Sequence, residues 1–239
     1  MKMGLKLLPI ALICLIFTIG CRKAGTASTN TVATSCISES AVTPASLAPA
    51  LPQAQLTEID HLFQQNNLST ANQQFFSIDS NYFQPQGYPA NVDQTVVLSY
   101  RWYNSLPVFR WNDNITFYND VFQPQASIVF NGTAPGPDTA FRQSLASLQT
   151  IWQNNFMKVG TYGGAQNDTT PTHPNASYRD SCLIAKRGYI DAGYFNAPID
   201  IYTGELVKAW VVTPENGNYP MVIIADSTGA AWPSNIYFP

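Results

Sequence analysis

The feature that most limits the fold of this chain is a pair of alternating apolar segments near its middle. Thr95 to Tyr103 is rich in β-branched and aromatic residues, and Val108 to Tyr118 repeats the alternation after a turn at Asn104 to Pro107. Residues of these types that alternate with a period of two are typical of strands. The two segments are therefore predicted to form a β-hairpin.

Two helices, a long loop and six further strands are predicted around this hairpin. Thr57 and Asp60 have the spacing of an N-cap and an acid at the third helical position, which predicts a helix over about Gln55–Asn66. Asp138 is predicted to cap a second helix that ends near Lys158. The loop is Gly160–Ser177, and the strands are Gln73–Asp79, Gln125–Phe130, Tyr178–Ile190, Leu206–Thr213, Tyr219–Ala225 and Ala231–Phe238.

This order of elements predicts an α+β protein of two halves, each with one helix packed on its own antiparallel sheet. The first half is expected over residues 54–137 and the second over residues 138–239. Before them, residues 21–53 are dominated by Ala, Ser, Thr and Pro with almost no apolar periodicity. Such a composition is typical of a flexible tether.

Residues 1–20 have the pattern of an export signal. Lys2 and Lys6 precede an apolar run from Leu7 to Ile19, which is shorter than the about 20 residues of a transmembrane helix. Its end at Gly20-Cys21 resembles the lipobox of bacterial lipoproteins. The resemblance implies cleavage before Cys21, a lipid on its thiol, and a place in a bacterial envelope, with the outer membrane favoured. An ordinary secretory peptide with an incidental cysteine is the alternative.

Charge and cysteine content narrow the choice of partners. Once Lys2 and Lys6 leave with the signal, 10 basic and 15 acidic residues remain, a formal charge of −5 that argues against nucleic acid. Cys14 leaves with the signal as well, and Cys21 is assigned to the lipid. Cys36 and Cys182 are then left in an oxidising compartment, where a disulfide and two free thiols both fit the sequence.

Four segments carry a resemblance to known domains. Tyr103–Phe109, between two predicted strands, resembles the hairpin of the propeptide domain of thermolysin-type and fungalysin-type proteases. The segments Ala209–Thr213, Tyr219–Pro220 and Ile224–Gly229 are similar to the closing strands of PepSY domains. The resemblance implies a propeptide-like module that regulates a protease or binds a protein outside the cytoplasmic membrane.

Motifs of catalysis and of cofactor binding are missing from the sequence. The chain contains two histidines, His61 and His173, and no His-Glu-x-x-His, Gly-x-Ser-x-Gly or Cys-x-x-Cys motif. The oxygen-rich run Asn112–Asn114 lacks the spaced acids of a calcium loop and is interpreted as a solvated turn. We therefore expect no catalytic residue, metal or cofactor, although Asp191 and Asp200 leave a site of two carboxylates open.

These observations give three hypotheses in order of preference. The first is a non-catalytic, lipid-anchored module that binds a peptide, a protease or another protein through its sheets or long loop. The second is a surface glycan-binding lipoprotein, whose sugars would stack on exposed aromatic residues, among them Trp102, Trp111, Tyr194, Tyr202 and Trp232. The third is a hydrolase whose site is assembled only in the folded chain.

Overall fold

A computed structural model of the protein describes residues 36–160, 172–196 and 202–234. All of these residues belong to one compact unit that begins at Ser35. The predicted signal, Cys21 and the first part of the predicted tether lie outside the described residues. Within those three ranges, no helix has the length and hydropathy needed to cross a membrane.

The described residues form more strand than helix. The helices are α1 (Pro44–Leu47), α2 (Gln53–Gln65), α3 (Leu145–Gln153) and α4 (Gly193–Asn196), with 3-10 turns at Pro124–Ala126, Phe156–Lys158 and Pro174–Tyr178. The strands are β1 (Ile37–Glu39), β2 (Gln73–Phe83), β3 (Val92–Tyr103), β4 (Leu106–Tyr118), β5 (Val121–Phe122), β6 (Leu183–Asp191), β7 (Leu206–Pro214), β8 (Met221–Ala225) and β9 (Ala231–Ser234).

The nine described strands form a single mixed sheet. Its order is β2-β3-β4-β6-β7-β8-β9, with β1 beside β6 and β5 beside β4. The β1–β6 and β4–β6 pairs are parallel, and the other pairs are antiparallel. The predicted α+β fold with two helix-plus-antiparallel-sheet halves is therefore wrong, because the two sets of strands join and helices are few.

The junction between the two sets of strands is a distortion of β4. Its pairing with β3 runs from Gln94 opposite Tyr118 to Tyr100 opposite Asn112, and resumes only at Trp102 opposite Pro107. The residues of β4 between these pairs bulge away from β3, and Val108 pairs with Tyr189 of β6 instead.

Glycine at position 188 permits this junction. A Cβ on Gly188 would lie 2.4 Å from the Phe109 ring and 2.7 Å from the carbonyl oxygen of Pro107. Any larger residue would therefore separate β6 from β4. Arg110, which follows in the bulge, has a φ of 60°, a left-handed conformation that turns β4 toward β6.

Apolar clusters cover the sheet on both sides. Helix α2 packs its buried stripe of Ile59, Leu62 and Phe63 on Val97 and Phe117 of the first strands. Helix α3 covers β6 to β8 in a cluster that includes Leu148, Trp152, Ala185, Trp210, Val212, Val222 and Ile224. The opposite face of the same strands is buried by a third cluster of Phe109, Ile190, Ala209, Val211, Met221 and Ile223.

The second helix begins later than the sequence predicts. Ser144 is its N-cap and accepts from the backbone N–H of Ser147, whereas Asp138 lies six residues earlier, outside any helix or strand. The carboxylate of Asp226 accepts from the backbone N–H groups of Arg142 and Gln143, at 2.9 and 3.0 Å. Because those N–H groups are bound by another part of the protein, the helix cannot start before Ser144.

Three further predictions differ from the structure. Helix α2 begins after Pro52, and the Thr57 hydroxyl, expected to cap it, donates to the carbonyl of Gln53. The strand predicted at Gln125–Phe130 is not formed: its first two residues end the 3-10 turn, and Ile128 makes one isolated bridge to Asn114. Residues 161–171 of the predicted long loop lie outside the described residues, and Pro174–Tyr178 is a 3-10 helix.

The last part of the predicted tether is structured. Cys36 and Cys182 form a disulfide with their Cα atoms 4.7 Å apart, and β1 follows it as a partner of β6. An ion pair of 2.7 Å between Arg187 and Glu39 adds a second link. The disulfide was one of the two alternatives that the sequence left open, and it closes a separation of 146 residues.

Candidate functional site

Strand β2 is the long strand at one edge of the sheet, and only one of its two sides is paired with another described strand. Among the described residues it pairs with β3 alone, and the register is regular from Ser77 opposite Leu98 to Phe83 opposite Val92. The side chains from Asp79 to Tyr82 are exposed, and Tyr82 is 68% accessible. Alternate residues of an edge strand direct their N–H and C=O groups outward.

The inner side of β2 is fixed by side chains. Phe75 contacts the ring of Phe63 in α2, with the ring centroids 5.2 Å apart. The hydroxyls of Ser80 and Thr95 lie 3.1 Å apart across the β2–β3 pair. Phe76 stacks on Tyr100 at 4.4 Å. These contacts hold the strand in its extended form without using its outer backbone groups.

Trp102, one of the aromatic residues considered for ligand contact, has a structural role at the beginning of this strand. Its indole N–H donates to the side-chain oxygen of Gln74 at 3.1 Å, and its backbone N–H donates to the carbonyl of Asn72 at 2.8 Å. The side chain of Gln74 in turn donates to the carbonyl of Pro44 in α1. Trp102 therefore connects β3, β2 and the amino-terminal segment.

Trp111 belongs to a partly exposed aromatic cluster. Its ring stacks on Tyr202 with the centroids 4.7 Å apart and the planes 27° apart, and it meets Phe130 edge-on at 5.7 Å. Tyr202 is 39% accessible and its hydroxyl donates to the side chain of Asn131 at 3.2 Å. Tyr103 meets Phe130 edge-on, with the ring centroids 6.2 Å apart.

Both tyrosines of this cluster have a raised pKa. Burial raises the pKa of Tyr103, with the nearby Asp113 carboxylate acting in the same direction and the Arg101 guanidinium against it. Burial likewise raises the pKa of Tyr202, and Asp191 adds to the effect. Their hydroxyls therefore remain neutral donors into the alkaline range.

Asp113 lies beneath the cluster and is fully buried. Its carboxylate pairs with the guanidinium of Arg101, and it also accepts from the Trp111 indole and the Phe130 backbone N–H, both at 2.8 Å. Arg101 is the β3 residue that faces the bulge of β4. The predicted solvated turn at Asn112–Asn114 is therefore wrong, because these residues lie inside β4 with Asp113 at its centre.

Two more buried aspartates fix loops in the same way. Asp191 accepts from the backbone N–H groups of Gly193, Thr203 and Gly204 and from the Thr203 hydroxyl, at 2.7 to 2.9 Å. Asp226 accepts from Arg142, Gln143 and the Trp210 indole. Because their oxygens are occupied by N–H and O–H donors, these carboxylates act as loop anchors. Asp200, expected to flank the same loop as Asp191, lies outside the described residues.

A cleft of about 290 Å³ opens beside the Asp226 anchor. Lys208 at its side donates to the Asp138 carboxylate at 2.8 Å and to the carbonyl of Ala140 at 2.6 Å. The hydrogen bond from Lys208 lowers the pKa of Asp138, as does the one from the Ala140 N–H. Tyr189, whose hydroxyl accepts from Asn104, also lines the cleft, and the two acidic and two basic side chains of the lining balance in charge.

The three candidate tryptophans do not converge on one site. Trp102 and Trp111 lie on the adjacent strands β3 and β4, whereas Trp232 lies on β9, beyond β6, β7 and β8. Trp232 meets the ring of Tyr194 edge-on at 5.8 Å and packs on the cluster that includes Ile223. A shared glycan platform of all three is therefore not formed.

The two histidines are also separate. His61 on α2 lies 3.1 Å from the side-chain nitrogen of Gln65, and His173 accepts from the backbone N–H of Asn175 as the cap of a 3-10 helix. Across the described ranges no three His, Cys, Asp or Glu side chains come together as a metal site.

Sequence reasoning named Asp191, the run that contains Asp113, and Tyr202, but it missed that the aspartates are buried anchors and that Tyr202 stacks on Trp111. An isolated Asp after a strand gives no sign of whether its carboxylate will be buried. For Asp191 and Asp226, the glycines and turn residues that follow were the available signal.

Comparison with known proteins finds no family model, no curated protein and no solved structure that matches this chain. The resemblances to lipoproteins and to propeptide-type hairpins therefore stay predictions.

We expect Asp113→Ala to lower the free energy of unfolding by about 3–5 kcal/mol, because it leaves Arg101 buried without its partner. Asp113→Asn should lower the free energy of unfolding by a smaller amount, since an amide oxygen still accepts from Trp111 and Phe130. Urea unfolding followed by fluorescence measures both variants, with Asp79→Ala as an exposed control. Equal losses for Ala and Asn would contradict the anchoring role.

Proposed function

We propose that the protein is a non-catalytic, lipid-anchored component of a bacterial envelope that binds an extended segment of another protein along β2. The observation that carries this proposal is the free side of β2, over Ser77–Phe83, where the described chain provides no partner strand. A segment bound there would continue the sheet by one strand.

The contrast between the two ends of the sheet supports this binding mode. Strand β9 has four residues and contains Pro233, which are features that keep an edge from pairing with other chains. Strand β2 has eleven residues and contains neither lysine nor proline. Beyond the register shift between Phe75 and Ser77, the regular part of this edge carries one charged side chain, Asp79, and is long enough for a partner strand.

Energetics indicate that backbone pairing needs support from side chains. Each backbone hydrogen bond contributes about 1 kcal/mol net, which is no more than the about 1–2 kcal/mol lost when one peptide residue becomes ordered. The exposed side chains from Asp79 to Tyr82 are therefore expected to add the remaining affinity and the specificity.

The buried aspartates favour binding over catalysis. A general acid or base must exchange a proton with a substrate, yet Asp113, Asp191 and Asp226 accept hydrogen bonds from the protein itself and are at most 3% accessible.

The lipid anchor follows from the lipobox-like end of the signal at Gly20-Cys21. We expect Cys21→Ser to abolish incorporation of labelled palmitate in a bacterial host and to release the protein from the membrane fraction. Cys36→Ser is the control, because that residue belongs to the disulfide. Unchanged labelling of the Cys21→Ser protein would contradict the anchor.

Strand addition can be tested with peptides of about ten residues that alternate threonine and valine. Three versions carry lysine, glutamine or glutamate at the same three positions, so that the test does not depend on charge. We expect at least one version to slow hydrogen exchange at alternate amides of Ser77–Phe83 in the full chain, because those groups become paired. NMR measures the exchange residue by residue.

N-methylated peptides provide the matched control for this experiment. Methyl groups on one alternate set of peptide nitrogens should abolish the protection of β2, and methyl groups on the other set should leave it, since only one set faces the edge. Strand addition is wrong if none of the three peptides protects β2, or if both methylated sets bind equally.

Glycan binding is the second candidate function, and the Trp111–Tyr202 stack favours it. The pair is partly exposed and has the Asn131 amide beside it, a combination of ring faces and polar groups that suits a sugar. On this hypothesis Trp111→Ala should abolish retention on a polysaccharide column, whereas Trp232→Ala should not. Equal behaviour of the two variants would exclude the cluster as the sugar site.

A further inference from the structure

The charge of the protein is concentrated on the side of the chain that carries β2. Between Cys36 and Phe130 there are seven acidic residues and two arginines, a formal charge of −5. The remaining described residues hold six acidic and six basic side chains, a formal charge of zero. Glu39 lies on β1, beside β6, and the other six acids lie on α2, on β2 to β4 or in the turn after β4. The part of the structure that carries the free edge is therefore acidic.

Most of these acids have no cationic partner in the described chain. Asp113 pairs with Arg101, and Glu39 pairs with Arg187. The other five are exposed and make no ion pair with a described residue: Glu58, Asp60, Asp79, Asp93 and Asp120. Arg110, the other cation of this region, lies over the ring of Tyr194, 4.6 Å from its centroid.

Three of the five acids lie close to the regular part of the edge. Asp79 is in β2 itself, and Asp93 is directly opposite Tyr82 in the pairing of β2 with β3. The backbone N–H of Asp93 donates to the side chain of Asn119, which places Asp120 at the same end of the sheet. Along the strand, Asp79 and the Tyr82–Asp93 pair are separated by about 10 Å, which is about one Debye length at 0.1 M salt.

We propose that the segment bound along β2 carries lysine or arginine side chains. The inference rests on the proposed function, because it assigns the chemistry of the partner at that same edge. The backbone groups of Ser77–Phe83 supply pairing that any extended chain can use, and the unpaired carboxylates select among such chains by charge. Because side chains alternate between the faces of a strand, Asp79 lies on one face of the sheet and Asp93, opposite Tyr82, on the other, so an acidic segment would meet a carboxylate on either face.

The test compares the lysine, glutamine and glutamate peptides on the purified full chain by isothermal titration calorimetry, with hydrogen exchange of β2 as a second readout. We expect the lysine peptide to bind at least about tenfold more tightly than the glutamate peptide at low salt. This ratio of affinities should fall as the ionic strength rises to about 0.5 M, because salt screens the charges. Asp79→Asn combined with Asp93→Asn should reduce the ratio severalfold.

A variant of equal charge change distinguishes the edge from the overall charge of the protein. Asp180→Asn combined with Glu215→Gln removes two exposed acids beyond the junction and should leave the ratio unchanged. Circular dichroism checks that both double variants keep the fold.

The failures of the two proposals are distinguishable. If the three peptides protect β2 and bind within about twofold of one another, the basic partner is wrong and strand addition stands. If the two double variants change the ratio of the lysine- and glutamate-peptide affinities equally, the acids of the edge do not select the partner, and the basic partner is wrong as well. If no peptide protects β2, the proposed function fails and this inference fails with it.

Discussion

The buried ion pair between Arg101 and Asp113 lies at the point on which the architecture depends. Arg101 is the β3 residue that faces the bulge of β4, where β4 leaves β3 and reaches β6 through the pair of Val108 with Tyr189. Two charges in a dry interior need further hydrogen bonds, and the Trp111 and Phe130 N–H groups supply them to the Asp113 carboxylate, whereas the Nε of Arg101 has no partner among the described residues. The pair thus lies where one set of strands ends and the next begins.

The local elements of the fold follow from the sequence, and their assembly does not. The alternation at 95–118 correctly predicts a hairpin, because pairing between neighbouring strands depends on nearby residues. The parallel contact of β4 with β6 depends on Gly188, and nothing in the sequence distinguishes this glycine from the others. Likewise, the start of α3 depends on Asp226, about 80 residues later, so a cap at Asp138 was the natural but wrong prediction.

The candidate site, too, could be predicted from the sequence only in part. Exposed aromatic residues could be named from composition, but whether Trp102 contacts a ligand or donates to Gln74 depends on a strand that pairs with its own. The free edge of β2 follows from the order of the strands in the sheet, and this order cannot be predicted from hydrophobic periodicity. The acidity of the same region is visible in the sequence once the junction at β4 shows where to divide the chain.

The disulfide between Cys36 and Cys182 has a mechanical consequence. It joins the amino-terminal end of the described chain to the residue just before β6, which lies in the interior of the sheet between β4 and β7. A pulling force applied to the residues before Cys36 is therefore transmitted through the sulfur–sulfur bond to the centre of the sheet. Strand β1 and helices α1 and α2 are bypassed by that load, so tension on the amino terminus cannot peel them away one after another.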